Sequence, residues 1–120
     1  MGAPGLAVQV GFERARVVVE PGEVVEARLV VRNCGGVAER FRVRVFDAER
    51  VAVIEPEPGA PISPGAEVVW TVRYRVPREF GPVAGLYHAA VRAEAVRDGR
   101  VGAAAVLDVR IRGGPGVGDT

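Results

Sequence analysis

The chain has 120 residues, of which 48% are hydrophobic and 6% aromatic, and its 16 basic and 15 acidic side chains give a net charge of +1. This length suits one domain with a sizeable core. Near-neutrality argues against a dedicated nucleic-acid binder, which carries a clear basic excess. There is no lysine, and the reliance on arginine is typical of a GC-rich genome.

No apolar run approaches the roughly 20 residues that a membrane-spanning helix needs. Residues 1–5 also lack the basic and apolar regions of a signal peptide. We therefore expect no membrane insertion and, for the chain as given, a cytoplasmic protein. As a fragment of a longer chain it would equally suit an extracellular or surface protein.

Apolar and polar residues alternate with a period of two along most of the chain, which predicts strands with one buried face. In chain order, the predicted strands are 6–12, 16–19, 23–33, 39–47, 50–55, 67–76, 85–97 and 100–112. In 85–97 the alternation places Ala89, Ala93 and Ala95 on the inner side, although the alanine content of this segment would also suit a helix. However, Asp98-Gly99 follows at once and predicts a hairpin with the next strand.

Two Pro-Gly pairs, Pro21-Gly22 and Pro64-Gly65, stand directly before long amphipathic strands. Proline fixes φ at the second position of a type II turn and glycine supplies the positive φ at the third. Each pair therefore predicts a type II turn that starts a strand.

These features predict an all-β fold, an immunoglobulin-like antiparallel β-sandwich of about seven strands, with a small closed barrel as the alternative. The lone cysteine, Cys34, excludes an intrachain disulfide. The sandwich is expected over 1–112, followed by a flexible tail at 113–120. Trp70 is expected in the core, and Tyr87 is expected to form a tyrosine corner, with a buried ring and a hydroxyl bonded to backbone.

The order of turns resembles a known group of domains. The motifs are Val-Glu-Pro-Gly-Glu (19–23), Asn-Cys-Gly-Gly (33–36), Ser-Pro-Gly (63–65) and Gly-Leu-Tyr (85–87). In this order they resemble the NEW3/CARDB-like bacterial and archaeal immunoglobulin-like domains. The chain is also similar to the N-terminal domain of actinobacterial chains named "hydrolytic protein". The resemblance covers about 6–112 and implies a non-catalytic accessory module, because the shared residues are turns and core.

The residue types needed for catalysis or metal binding are sparse. Cys34 and His88 are single and lie on different predicted elements, Cys34 in a turn and His88 on the exposed side of a strand, so no zinc site is expected. Ser63 is the only serine and lies in a turn without a neighbouring histidine, so we expect no catalytic residue and no cofactor. A calcium site in the acidic stretch around the short strand 50–55 stays open. Its candidate ligands are Asp47, Glu49, Glu55 and Glu57.

If the strands that begin at residues 39, 85 and 100 form one sheet, its outer face collects arginines next to small apolar residues. The only acids expected on that face are Glu94 and Asp108. Arginine and aromatic residues are enriched at protein interfaces. The predicted partner-binding residues are Arg40, Arg42, Arg44, Phe46, Arg92, Arg110 and Arg112. The alternative is an ordinary solvated face.

We therefore expect a structural or interaction module that contacts a protein partner or a neighbouring domain and is not an enzyme. A carbohydrate-binding accessory domain is the alternative, although Trp70 and Tyr74, the aromatics that a sugar platform would use, are predicted to face inward. Self-association is also open, because sheet edges invite strand pairing and the edge near 51–54 has little protection.

Overall fold

The computed structural model describes residues 7–20, 22–46, 52–55, 60–75 and 85–112. These residues contain eight strands and no helix, and hence none that could cross a membrane. The strands are β1 (Val8–Phe12), β2 (Arg16–Val19), β3 (Val24–Asn33), β4 (Phe41–Phe46), β5 (Ala52–Glu55), β6 (Glu67–Arg75), β7 (Gly85–Ala95) and β8 (Gly102–Ile111).

The strands form two four-stranded sheets. Sheet A has the order β1-β3-β6-β5, and sheet B has the order β2-β8-β7-β4. Side chains that alternate along the strands pack between the sheets. The predicted all-β, immunoglobulin-like sandwich is confirmed, and the two separate sheets exclude the barrel alternative. The strand around residues 51–54 was predicted to be an edge, and β5 does lie at an edge of sheet A.

The strand pairs are antiparallel, as predicted, with the exception of β2 and β8, which run parallel. The chain changes sheets in the short connection between β1 and β2. The amide of Glu13 still donates to Arg28 of sheet A, whereas the carbonyl of Ala15 already accepts from Asp108 of sheet B. The segment from β1 to β2 therefore forms an edge strand of sheet A in its first half and an edge strand of sheet B in its second half.

Both predicted Pro-Gly turns are confirmed. The φ angles of Gly22 and Gly65 are 84° and 79°. The amide of Glu23 donates to the carbonyl of Glu20 at 3.1 Å, and the equivalent bond of the second turn, from residue 66 to residue 63, is 3.0 Å. A type I′ turn would share this bond and the positive φ at the third position, but it also needs a positive φ at the second position, which proline cannot adopt. The two turns are therefore of type II. The two turns lead into β3 and β6, the central strands of sheet A.

The core follows the predicted alternation of side chains. Trp70 is 6% exposed and Tyr74 is fully buried on the inner face of β6. On β7 the predicted inner alanines, Ala89, Ala93 and Ala95, are at most 1% exposed. The prediction that this alanine-rich segment is a strand and not a helix is therefore confirmed.

Asn33, at the end of β3, connects three backbone segments from a position that is 1% exposed. Its side-chain Nδ2 donates to the carbonyls of Val37 at 2.9 Å and Ile62 at 2.7 Å, and its Oδ1 accepts from the amide of Gly35 at 2.9 Å. Its own carbonyl accepts from Gly65 in the second Pro-Gly turn. Asn33 thus fixes the loop after β3 against the turn that starts β6.

Tyr87 differs in part from the predicted tyrosine corner. Its ring is half-buried and lies edge-on to Tyr74, with ring centroids 5.9 Å apart. The Tyr74 hydroxyl donates to the Tyr87 hydroxyl at 2.8 Å. The tyrosine pair therefore joins β6 of sheet A to β7 of sheet B through the core.

The predicted hairpin between β7 and β8 is confirmed, with residues 96–101 as its connection. The amide of Val101 donates to the Asp98 carbonyl at 3.0 Å and closes a tight turn. The Arg100 guanidinium forms two 3.0 Å bonds to the Asp98 carboxylate, and the Arg100 amide forms another. These hydrogen bonds, that of the guanidinium first, lower the pKa of the Asp98 carboxyl.

Candidate functional site

The outer face of sheet B carries the predicted arginines because β4, β7 and β8 are neighbours, as the sequence analysis supposed. The register places Arg42 beside Glu94 and Arg44 beside Arg92. It also places Glu94 beside Gly102 and Arg92 beside Ala104. Side chains at these positions share one face because opposite residues in an antiparallel pair point the same way.

Three arginines surround one carboxylate at this end of the sheet. Glu94 Oε1 lies 3.2 Å from Arg42 Nε and 3.6 Å from Arg44 Nε, and Glu94 Oε2 lies 3.4 Å from Arg92 Nε. We call these four residues the arginine cluster. Their formal charges sum to +2, since three guanidinium groups face a single carboxylate.

Glu94 is the residue of this cluster that sequence reasoning misjudged. It was expected to be an exposed acid on the outer face, yet it is only 4% exposed. It does lie on the outer face, but the arginines from β4 and β7 cover it. A buried carboxylate requires such partners, because an unpaired charge away from water is very costly.

Arg92 has a different setting from the other two arginines. Its Nη2 donates to the carbonyls of Gly99 at 3.1 Å and Arg100 at 3.4 Å, so the guanidinium also closes the β7–β8 hairpin. Gly102 makes room for it: a Cβ at this position would lie 2.8 Å from Arg92 Nη2. Arg92 is therefore a structural member of the cluster.

Arg42 and Arg44 are the accessible members. Their side chains are 54% and 60% exposed, against 29% for Arg92. A guanidinium carries five N–H donors, so a contact to Glu94 through Nε leaves donors for another acceptor. These two side chains can receive a carboxylate or a similar planar anion in a bidentate arrangement.

The remaining predicted site residues are not members of this cluster. Arg110 and Arg112 are exposed at the opposite end of β8, and Arg112 lies 3.9 Å from Glu20. Arg40 is exposed immediately before β4, where its carbonyl accepts from Val96. Phe46 ends β4, and its side chain lies outside the described part of the structure. The predicted arginines of this face thus lie near its two ends: Arg40, Arg42, Arg44 and Arg92 near one, and Arg110 and Arg112 near the other.

Small and apolar side chains lie between these ends. Val106 is 49% exposed and pairs with Ala90, and Val18 of β2 is 54% exposed and pairs with Arg110. Next to them, His88 Nδ1 lies 2.8 Å from Asp108 Oδ1. His88 is therefore an exposed strand residue, as predicted.

The outer face of sheet A distributes its charges differently. Arg73 Nε lies 3.1 Å from Glu26, and Arg28 Nε lies 3.2 Å from Glu13. All four side chains of these two pairs are exposed. On sheet B, by contrast, three arginine side chains contact the single carboxylate of Glu94, which gives that face its local excess of positive charge.

The other sequence candidates add no grouped ligands within the described ranges. Among those residues, no three His, Cys, Asp or Glu side chains are placed to hold one metal ion. The calcium candidates Asp47, Glu49 and Glu57, and the side chain of Glu55, lie outside the described residues. Cys34 is exposed in the loop after β3, as expected.

No protein family model and no curated protein sequence matches the chain, but solved structures share its fold. The PapD-like domain 7 of human CEP192 has a TM-score of 0.57 at 12% identity, over 94% of this chain and 89% of that one. A family 123 glycoside hydrolase from Clostridium perfringens has a TM-score of 0.67 at 8% identity, over 89% of this chain and 27% of the hydrolase.

The E. coli chaperone DraB has a TM-score of 0.55 at 14% identity, over 90% of this chain and 55% of the chaperone. The chain thus corresponds to only part of DraB and of the hydrolase. At such identities the likeness supports only the fold, an immunoglobulin-like β-sandwich. It does not transfer an activity, because one fold serves many functions.

Proposed function

We propose that this chain is a non-catalytic immunoglobulin-like module, related to the NEW3/CARDB-like domains, that binds a protein partner or a neighbouring domain through the outer face of sheet B. The observation that carries the proposal is the exposure of Arg42 and Arg44 beside a carboxylate already shared by three arginines. Arginine next to small apolar residues is the composition of protein interfaces.

The structural neighbours are compatible with this role. They include a bacterial chaperone and a PapD-like domain of a human protein. The hydrolase resembles this chain over 27% of its own length. Carbohydrate binding, the alternative, has less support because Trp70 and Tyr74 are buried and are not available as a sugar platform.

The burial of Glu94 determines which substitutions can test the face. From the sequence, charge reversal at Arg42 and Arg44 would leave the melting temperature nearly unchanged. With Glu94 4% exposed between them, reversal would place three carboxylates together and destabilise the fold. The suitable change is Arg42→Gln with Arg44→Gln, which removes charge and retains hydrogen-bond donors.

The matched control is Arg32→Gln with Arg75→Gln, which removes the same charge from exposed positions on sheet A. Partners retained by the wild-type domain are identified by mass spectrometry, and their affinities are then measured with purified components by calorimetry. We expect the sheet B variant to bind at least about tenfold more weakly, and the control to bind like the wild type. Equal affinity of the sheet B variant and the wild type would refute the proposal.

A further inference from the structure

β4 forms one edge of sheet B, and its only strand neighbour among the described residues is β7. The amide of Val96 donates to the carbonyl of Arg40 at 2.9 Å. Hydrogen-bonded and non-bonded pairs alternate in an antiparallel ladder, so the backbone groups of Arg42 and Arg44 also point to β7. Those of Phe41, Val43 and Val45 consequently point away from β7. On that side Glu39, just before β4, pairs with Ile62, and among the described residues no strand lies beside β4 itself.

This alternation determines what a second strand on β4 would place beside the arginines. An added antiparallel strand bonds to the backbone of Phe41, Val43 and Val45, and its intervening residues lie opposite Arg42 and Arg44 on the outer face. If the added strand were β4 of a second copy, the register that pairs Phe41, Val43 and Val45 with the same three residues of that copy would place Arg42 opposite its Arg44. Like charges directly opposite each other are destabilising.

Charge complementarity therefore selects a partner strand that carries acids at alternate positions. Arg42 and Arg44 lie two residues apart on one face, and more than half of each side chain is exposed. The carboxylate of Glu94 also contacts Arg92, so one negative charge faces three positive charges. Carboxylates at positions i and i+2 of an added strand would lie opposite the two arginines.

We propose that β4 binds an extended acidic segment of a partner protein as an added strand of sheet B. Backbone hydrogen bonds to Phe41, Val43 and Val45 would hold the segment, and its alternate carboxylates would pair with Arg42 and Arg44. This is strand addition, in which main-chain bonds supply affinity and alternate side chains supply specificity. The inference rests on the proposed function and names the chemistry of its partner.

The test uses the full chain and a synthetic peptide in which glutamate alternates with valine, with binding followed by NMR and calorimetry. N-methylation of the valines removes the amides that would bond to β4, whereas N-methylation of the glutamates alters amides that point away. We expect the first change to weaken binding at least about tenfold and the second at most about twofold. The double variant Arg42→Gln, Arg44→Gln should also lose binding, and the sheet A control should not.

A peptide of the same composition with its glutamates adjacent separates strand addition from general charge attraction. Equal binding of this peptide, equal effects of the two methylations, or no binding at about 1 mM peptide would each overturn the inference. The proposed function is judged separately, with the purified protein partner. If binding of that partner requires Arg42 and Arg44 while the peptides fail these criteria, the proposed interface is supported and strand addition is refuted.

Discussion

The buried side chain of Asn33 gives the sharpest stability prediction. Asn33→Ala removes two bonds donated to the carbonyls of Val37 and Ile62 and one accepted from the amide of Gly35. Each such bond contributes about 0.5–1.5 kcal/mol net, so the loss should be about 3 kcal/mol in the free energy of unfolding. In a domain of this size that corresponds to a fall in melting temperature of about 10–20 °C.

Urea denaturation followed by the fluorescence of Trp70 measures this loss, because Trp70 is 6% exposed in the folded state. The matched control is Cys34→Ala at the next residue, whose side chain is exposed and whose sulfur lies 3.9 Å from the nearest carbonyl partner. The control should change stability by less than about 0.5 kcal/mol. A loss below about 1 kcal/mol for Asn33→Ala would refute the role assigned to the three bonds.

Asn33→Asp adds a test by pH. The aspartate retains the acceptor for Gly35 but directs an oxygen at two carbonyls, and burial raises the pKa of such a carboxyl above its value in the unfolded chain. A group with a raised folded pKa binds more protons in the native state, so its variant loses stability as pH rises. The deficit of Asn33→Asp should therefore shrink as pH falls through the acid range, while that of Asn33→Ala should remain nearly constant.

Two further substitutions test the turns and the arginine cluster. Gly65→Ala requires a residue with a Cβ to adopt a φ of 79°, so it should lower the free energy of unfolding by about 1–2 kcal/mol. The control is Gly36→Ala, where an added Cβ meets nothing within 4 Å, and it should cost less than about 0.5 kcal/mol. Equal costs would contradict the turn assignment. Glu94→Ala leaves three arginines together and should cost about 2 kcal/mol at low salt, less at high salt because screening relieves their repulsion. Urea denaturation at two ionic strengths measures this effect, and a cost that does not depend on salt would contradict the electrostatic reasoning.

The strands and their inward faces were predictable because the sequence patterns that indicate them lie within each segment. Alternation within each segment identifies the buried side of a strand, and Pro-Gly identifies a type II turn wherever it occurs. Trp70 and Tyr74 could be placed in the core on this basis alone. The same reasoning correctly brought β4, β7 and β8 together, since the fold class fixes their order once the strands are known.

The composition of the site was not predictable because it depends on pairing between distant segments. Arg42 and Glu94 are separated by 52 positions, and their contact follows from the register of β4 on β7. Asn33 likewise bonds to Ile62, 29 positions away. Sequence reasoning recognised both residues, one as an outward acid and one as part of a turn. It could not determine that both are buried, because burial there comes from neighbours on other strands.

The energetics of the two outer faces bear on what the arginine cluster is for. Exposed ion pairs such as Glu13 with Arg28 contribute about 0–1 kcal/mol. The cluster around Glu94 is a weaker source of stability, since burying its carboxylate has a desolvation cost and its three cations repel one another. Stability alone therefore gives little reason for placing Arg42 and Arg44 beside Arg92. An added carboxylate from a partner would offset that repulsion, so the arrangement is electrostatically more favourable in a complex than in the isolated domain.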